Sequence, residues 1–227
     1  MRSMLVLCAL MVGVAFGTGS DLGHRGPYPT GASIGEFPGT DDVIVSQPFI
    51  FANMTNGLGC NSANSWMIAD DATPAGSIPM DVFEFWTLYT GSPANTWKIQ
   101  IRDDATGPGT TVLWTQDVIN VVNTNTGLYG WSYPVYNCLA TPVAPTYAPV
   151  GGTKIWLCFQ SLDGSAVSYF CASNMTWAQE CFWSGDNGSS WSSSTANWGV
   201  AYELNMIVTG TPGSLESSTW GTIKSTF

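Results

Sequence analysis

Histidine is almost absent from this sequence: His24 is the single one among 227 residues. Nucleophilic catalysis by Ser or Cys needs a base within hydrogen-bond reach, most often an imidazole. His24 lies in a loose stretch rich in Gly, Pro, Ser and Thr, so no Ser/His/Asp or Cys/His set is expected in a folded domain. No G-x-S-x-G, P-loop or H-E-x-x-H motif is present either. The acids remain. Glu84, Glu180 and Glu203 each fall in a strand-like run flanked by aromatics. Small jelly-roll glycosidases work with two such carboxylates across a concave sheet. The plainer reading is that these acids face solvent or a basic partner.

Acidic pairs at Asp41-Asp42, Asp70-Asp71 and Asp103-Asp104 suit calcium, which takes six to eight oxygens, often from loops. Asp103 and Asp104, next to a Gly-rich turn, are the strongest of these, with turn capping as the competing use. Tryptophan offers a different chemistry. An exposed row of coplanar rings stacks on sugar faces, and Trp97, Trp131, Trp177 and Trp198 are the candidates for such a platform. Core packing is the alternative for each, and it is the expected place of Trp86, Trp114 and Trp156. Past the first twenty residues the cysteines are Cys60, Cys138, Cys158, Cys171 and Cys181, an odd number without C-x-x-C spacing. A hairpin of 165–173 with 176–184 would set Cys171 opposite Cys181. That pair is expected as one disulfide, Cys60–Cys138 as the second, and Cys158 as a buried thiol. Several simply buried thiols are the other reading.

These groups must be positioned by short strands. Only 10% of the chain is charged, 13% is aromatic, and it contains 25 Gly and 13 Pro. Helical bundles need charged faces and long periodic runs, so this composition speaks against one, while 44% apolar content is ample for a core. Strand-like runs are Val43–Gln47, Ser65–Asp70, Met80–Thr90, Thr96–Arg102, Val112–Val118, Tyr129–Tyr136, Lys154–Leu162, Ser165–Ser173, Thr176–Trp183 and Asn197–Val208. In Thr96–Arg102 the alternation of Trp97, Ile99 and Ile101 with Lys98, Gln100 and Arg102 predicts one buried and one wet face. About ten short strands between Gly- and Asp-rich turns predict an all-β fold, an antiparallel β-sandwich of jelly-roll type.

The N-terminus pairs Arg2 with an apolar run from Met4 to Phe16 and a small-residue exit. This pattern predicts a signal peptide over residues 1–17, followed by a flexible leader over 18–42, the β domain over 43–210 and a tail over 211–227. The net charge of −10 removes the electrostatic route to nucleic acid or anionic lipid, and no later run is long enough to span a membrane. In the tail, Trp220, Ile223 and Phe227 are apolar enough to need a partner, so self-association through the tail or an edge strand is expected.

Four stretches carry a resemblance: Ser46-Gln47-Pro48 with Asn56-Gly57-Leu58, then Ala69-Asp70-Asp71, then Asp103 to Thr110, then Gly152 to Leu157. Together, over about residues 43–209, they resemble a diffuse group of exported bacterial β-sandwich domains that often end in a sorting or anchoring tail. Ala72 stands where that group usually has Phe, and Lys154 where it has Tyr. The resemblance implies a jelly-roll-like fold and an extracellular or surface setting, with no activity to transfer. Residues 184–191 resemble an Asp-box turn, in which Ser184, Asp186, Gly188 and Trp191 are structural. The expected function is a secreted, non-enzymatic structural or interaction module, with an extracellular polysaccharide or a surface protein as partner. A carbohydrate-binding module and a small glycosidase are the alternatives. No cofactor is required, calcium aside.

Overall fold

The computed structural model describes residues 42–163, 167–174 and 179–211. Residues up to 41, read above as signal peptide and leader, Trp177 and the stretch from residue 212 lie outside them. The chain is all-β and antiparallel. Its strands are β1 (Asp42–Gln47), β2 (Met54–Gly59), β3 (Met67–Ala72), β4 (Val82–Tyr89), β5 (Thr96–Asp104), β6 (Pro108–Gly130) and β7 (Tyr133–Ala140). There follow β8 (Ile155–Ser161), β9 (Ser168–Ser173), β10 (Phe182–Ser184), β11 (Ser192–Ser193), a single-turn helix α1 (Ser194–Trp198), β12 (Glu203–Leu204) and β13 (Met206–Gly210).

The expected ten short strands are thirteen in one hydrogen-bonded sheet, ordered β1-β13-β4-β7-β6-β5-β8-β3-β10-β11, with β9 joining β4 to β2 and β12. The 23-residue strand β6 makes this continuity. Its residues up to Asn120 pair with β5, and those from Val121 onward pair with β7. It therefore belongs to two ladders, one built on β5, β8, β3 and β10, the other on β7, β4, β13 and β9. Sequence reading finds only Val112–Val118 of this strand, because Asn120, Asn123 and Asn125 break the apolar pattern beyond it, and the expected single strand Tyr129–Tyr136 is a correction: it spans the turn at Trp131-Ser132 that joins β6 to β7. The β6 backbone needs only hydrogen-bond partners, and β5 and β7 supply them in turn.

Side chains of the two ladders pack against each other. Phe85 on β4 stacks on Phe170 of β9 at 5.2 Å and meets Trp97 of β5 edge-on at 4.8 Å and Phe159 of β8 at 5.3 Å. All four rings are buried. The alternation in β5 holds for Trp97, Ile99 and Ile101, which are fully buried. The expected wet face is a correction, since Gln100 and Arg102 are buried too. The turn carrying Trp191 covers that face: Arg102 lies 5.6 Å from the Trp191 ring and donates to Gln100 Oε1 and the Gly109 carbonyl.

The hairpin of 165–173 with 176–184 does not form. β9 pairs with β2, β4 and β12, whereas β10 pairs with β3 and β11, so Cys171 sits on β9 of one ladder and Cys181 immediately before β10 of the other. All five cysteines from Cys60 onward are free and buried, which also corrects the expected Cys60–Cys138 bridge. Each of those two thiols has its own partners: Cys60 the Ser168 carbonyl, Cys138 Thr87 Oγ1 at 3.1 Å and Asn123 Oδ1 at 3.2 Å.

Candidate functional site

Two ladders meet where β1 ends, β3 ends and β12 begins. Side chains of adjacent residues in a strand point to opposite faces, so Asp70 and Asp71 would not ordinarily share a site. Asp70 folds back instead. Its Oδ1 accepts the Asp71 N–H at 2.9 Å and its Oδ2 accepts the Leu204 N–H at 2.6 Å. Leu204 follows Glu203, and the carboxylate oxygens of Asp70, Asp71 and Glu203 come within 4.8 Å of one another. These three residues are 0%, 3% and 2% exposed. Among the described residues, no other group of three metal-ligating side chains converges in this way.

Gln47, at the end of β1 and 3% exposed, completes the cluster. Its Nε2 lies 3.5 Å from Glu203 Oε2 and 3.4 Å from the Asp71 carbonyl, while its buried Oε1 has no hydrogen-bond partner. On the outer side, Lys154 Nζ sits 3.5 Å from Asp71 Oδ2 and 3.4 Å from Asp104 Oδ1. Its ammonium also lies 5.0 Å from the Trp156 ring, whose Nε1 donates to Asp104 at 2.7 Å. Asp103, Asp104 and Lys154 line a surface depression with Leu113, Tyr147, Val150 and Thr153. Lys154 thus stands between that depression and the buried acids.

Concentrating carboxylates away from water opposes their ionisation. Burial holds the Asp70 carboxyl well above the usual range, and Glu203 raises it further against the pull of the Leu204 and Asp71 amides. Asp71 is also raised by burial, partly offset by the Gln179 amide and by Lys154. The Lys154 ammonium pairs with Asp71 and is shared with Asp104.

Other expected sites fare differently. Asp103 caps the turn at the Thr111 N–H, the competing use, and Asp104 binds Lys154 and Trp156. Of the sugar-platform candidates, Trp97 is corrected, and Trp177 lies outside the described residues. Trp97 is fully buried, Trp131 packs near Trp86 and Leu88, and Trp198 packs in a separate cluster against Trp183 and Tyr202. The Trp183–Trp198 and Trp198–Tyr202 pairs are inclined by 71° and 60°, so Trp198 is not coplanar with these two neighbours. Of the three glutamates, Glu84 accepts from Asn137 at 2.6 Å, Glu180 holds the start of α1 through Ser194 and the Thr195 N–H, and Glu203 joins the buried acids. Asp186 sits in a tightly hydrogen-bonded turn. It accepts the Ser189 and Ser190 N–H groups and the Ser184 and Ser190 hydroxyls, with Gly188 at φ +84° and Trp191 packed on the Trp156 cluster.

No family model matches this chain, and comparison with curated proteins and with solved structures gives no match. The site rests on its own geometry. Sequence reading weighed Asp70-Asp71 and Glu203 separately and did not consider Gln47. All four stretches behind the resemblance contribute to this one region, through Gln47, Asp70 with Asp71, Asp104 and Lys154, so their co-occurrence is the available signal.

Proposed function

We propose that the protein is an exported, non-enzymatic structural module that assembles with copies of itself through the free edge of β6. The observation that carries this reading is the length and composition of that edge. Among the described residues, each half of β6 is hydrogen-bonded along one side only. Unpaired N–H and C=O groups template a further strand, and natural proteins usually blunt such edges with Lys, Pro or very short strands. Within β6 the one charge is Asp117, already neutralised by Lys98 at 3.0 Å, and its one Pro is at its first position. Val118 and Val122 are 59% and 67% exposed, with Tyr129 exposed beyond them. Two such edges meet without like-charge conflict, and main-chain pairing supplies the contact. A secreted setting rests on the signal-peptide pattern of residues 1–17.

Sedimentation velocity of the chain lacking residues 1–17, over a concentration series, tests the reading. The parent is expected to form dimers or larger species, and Val118→Lys/Val122→Lys to shift it to monomer without loss of β-sheet circular dichroism. A parent that stays monomeric at every concentration refutes edge assembly. Loss of association on deleting residues 212–227, with no effect of the β6 changes, assigns association to the tail.

A further inference from the structure

We propose that residues 214–227 dock on the outer face of β13, β4 and β7 of their own chain, with Lys224 paired to Glu84 and with Trp220, Ile223 and Phe227 covering Ile207 and Leu139. Strand β4 defines this face. Phe83 and Phe85 point into the core, so Val82, Glu84 and Trp86 point the other way. Trp86 is covered there by Phe49, stacked on it at 5.3 Å. The neighbouring row is Ile207, Glu84, Leu139 and Val122, register partners across β13, β4, β7 and β6. Ile207 and Leu139 are half-buried, and Val122 is 67% exposed. A contiguous apolar row on an outer face marks a surface that takes a partner.

Glu84 makes that surface selective for a cation. It is 7% exposed. Its Oε1 accepts from Asn137 at 2.6 Å, while its Oε2 is buried without a hydrogen-bond partner. A carboxylate held this far from water is costly unless it is paired. The described cations are engaged elsewhere: Lys98 with Asp117, Arg102 with Gln100 and the Gly109 carbonyl, and Lys154 with Asp71 and Asp104. The remaining basic residues are Arg2, Arg25 and Lys224. Arg2 belongs to the expected signal peptide, and Arg25 is followed by Gly26 and Pro27. Lys224 stands among large apolar residues, and positions 220, 223, 224 and 227 fall on one side of a helix. Three apolar side chains and one ammonium thus match an apolar row that holds one carboxylate.

The chain leaves the sheet at the right place. Gly210 ends β13, and the Thr211 N–H donates to Asp81 Oδ2 at 2.9 Å. From Asp81 to Glu84 is about 10 Å along the strand. Residues 212–219 span up to about 26 Å when extended, so Trp220 reaches the row with chain to spare. A second copy fits this face less well. A two-fold contact through it would set Glu84 against Glu84 in a chain of net charge −10.

The experiment is hydrogen exchange on the chain lacking residues 1–17, read by mass spectrometry of peptic peptides from 214–227. The synthetic peptide Ser214–Phe227 is the unprotected reference. Amides of the docked tail are expected to exchange at least about tenfold more slowly than those of the free peptide. Protection should persist on dilution to concentrations at which the chain sediments as a monomer. Lys224→Glu and Leu139→Lys are each expected to return exchange to the free-peptide rate, and Lys224→Arg to keep protection. Lys224→Glu lies beyond the last strand and leaves the sheet intact, so it decides the matter if Leu139→Lys unfolds. A tail that exchanges at the free-peptide rate in the parent overturns the proposal. So does protection that Lys224→Glu, or a folded Leu139→Lys, leaves unchanged. Protection lost on dilution overturns it too, by placing the tail on a second copy. The proposal does not rest on assembly through β6, and it is read on the monomer, so either can fail alone.

Discussion

If the two ladders pack through Phe85, a double-mutant cycle across them must register it. Phe85 belongs to β4 and Phe159 to β8, strands that share no hydrogen bonds, and their ring centroids are 5.3 Å apart. Phe85 is fully buried and also contacts Trp97 and Phe170. Truncation of a buried Phe to Ala costs about 3–5 kcal/mol. Three aromatic neighbours, each adding about 0.5–1.5 kcal/mol beyond burial, place Phe85→Ala at the upper end, about 4–5 kcal/mol. Single domains unfold with only about 5–15 kcal/mol, so a cycle should use Phe85→Leu and Phe159→Leu, each expected to cost about 1–2 kcal/mol. Urea unfolding followed by tryptophan fluorescence gives the four stabilities. The Phe85–Phe159 contact predicts a coupling of about 0.5–1.5 kcal/mol. Additivity within about 0.3 kcal/mol would mean that the rings do not meet, and the face-to-face packing of the ladders would be refuted.

Other expectations are simpler to test. Non-reducing peptide mapping should recover Cys60, Cys138, Cys158, Cys171 and Cys181 as free thiols, and native protein should not expose them to alkylation at pH 8.5, because burial pushes Cys138 and Cys158 up to about 12. Denaturation restores ordinary thiols, and a native Cys171–Cys181 crosslink would contradict the strand pairing. Gly210→Ala directs a methyl group into the Pro79 carbonyl and should destabilise by at least about 1–3 kcal/mol, read by urea unfolding. Asp186→Ala should lower the unfolding temperature. The hydroxyl and amide of Ser190 and the hydroxyl of Ser184 hold the Asp186 carboxyl down to about 2, so its contribution is complete above the ordinary carboxylate range and disappears as pH falls toward 2. Parent and variant should therefore converge in unfolding temperature near pH 2; a gap that persists there would assign the effect to packing.

Much of the β-structure was legible because side-chain alternation reports the local environment of a strand. Met80–Thr90 and Thr96–Arg102 became β4 and β5 with ends shifted by only a few residues. β2, Met-Thr-Asn-Gly-Leu-Gly, gave no such signal, since its two glycines have no side chain to alternate and instead admit Tyr169 and Trp66 close to the backbone. The stretch 197–208 hid a helix turn and two strands because Gly199 takes φ +72° and ends α1 where no periodicity marks it. The acidic centre was legible only in parts. Its members are 156 residues apart in sequence between Gln47 and Glu203, and the fold-back of Asp70 onto its neighbour's amide defies the alternation on which face assignment depends. The cysteine pairing failed for a related reason, since symmetry about a turn implies proximity only if the flanking strands pair with each other.

The exchange of partners along β6 also sets how the gene can change length. In a strand paired along one ladder, a one-residue deletion reverses the faces of everything beyond it. In β6 the point of exchange lies between Asn120 and Val121. A deletion near it would leave Trp114 and Thr115 in register with β5 while turning Val121 and Asn123 to the wrong sides of β7. A paired deletion of two residues would preserve both faces but pull the two ladders together by roughly two strand steps, about 6–7 Å. The Phe85 contacts could not survive that displacement. β6 is therefore a ruler whose length is fixed at both ends, and variants of this chain should accept insertions in the Tyr147–Gly152 loop long before they accept one in β6.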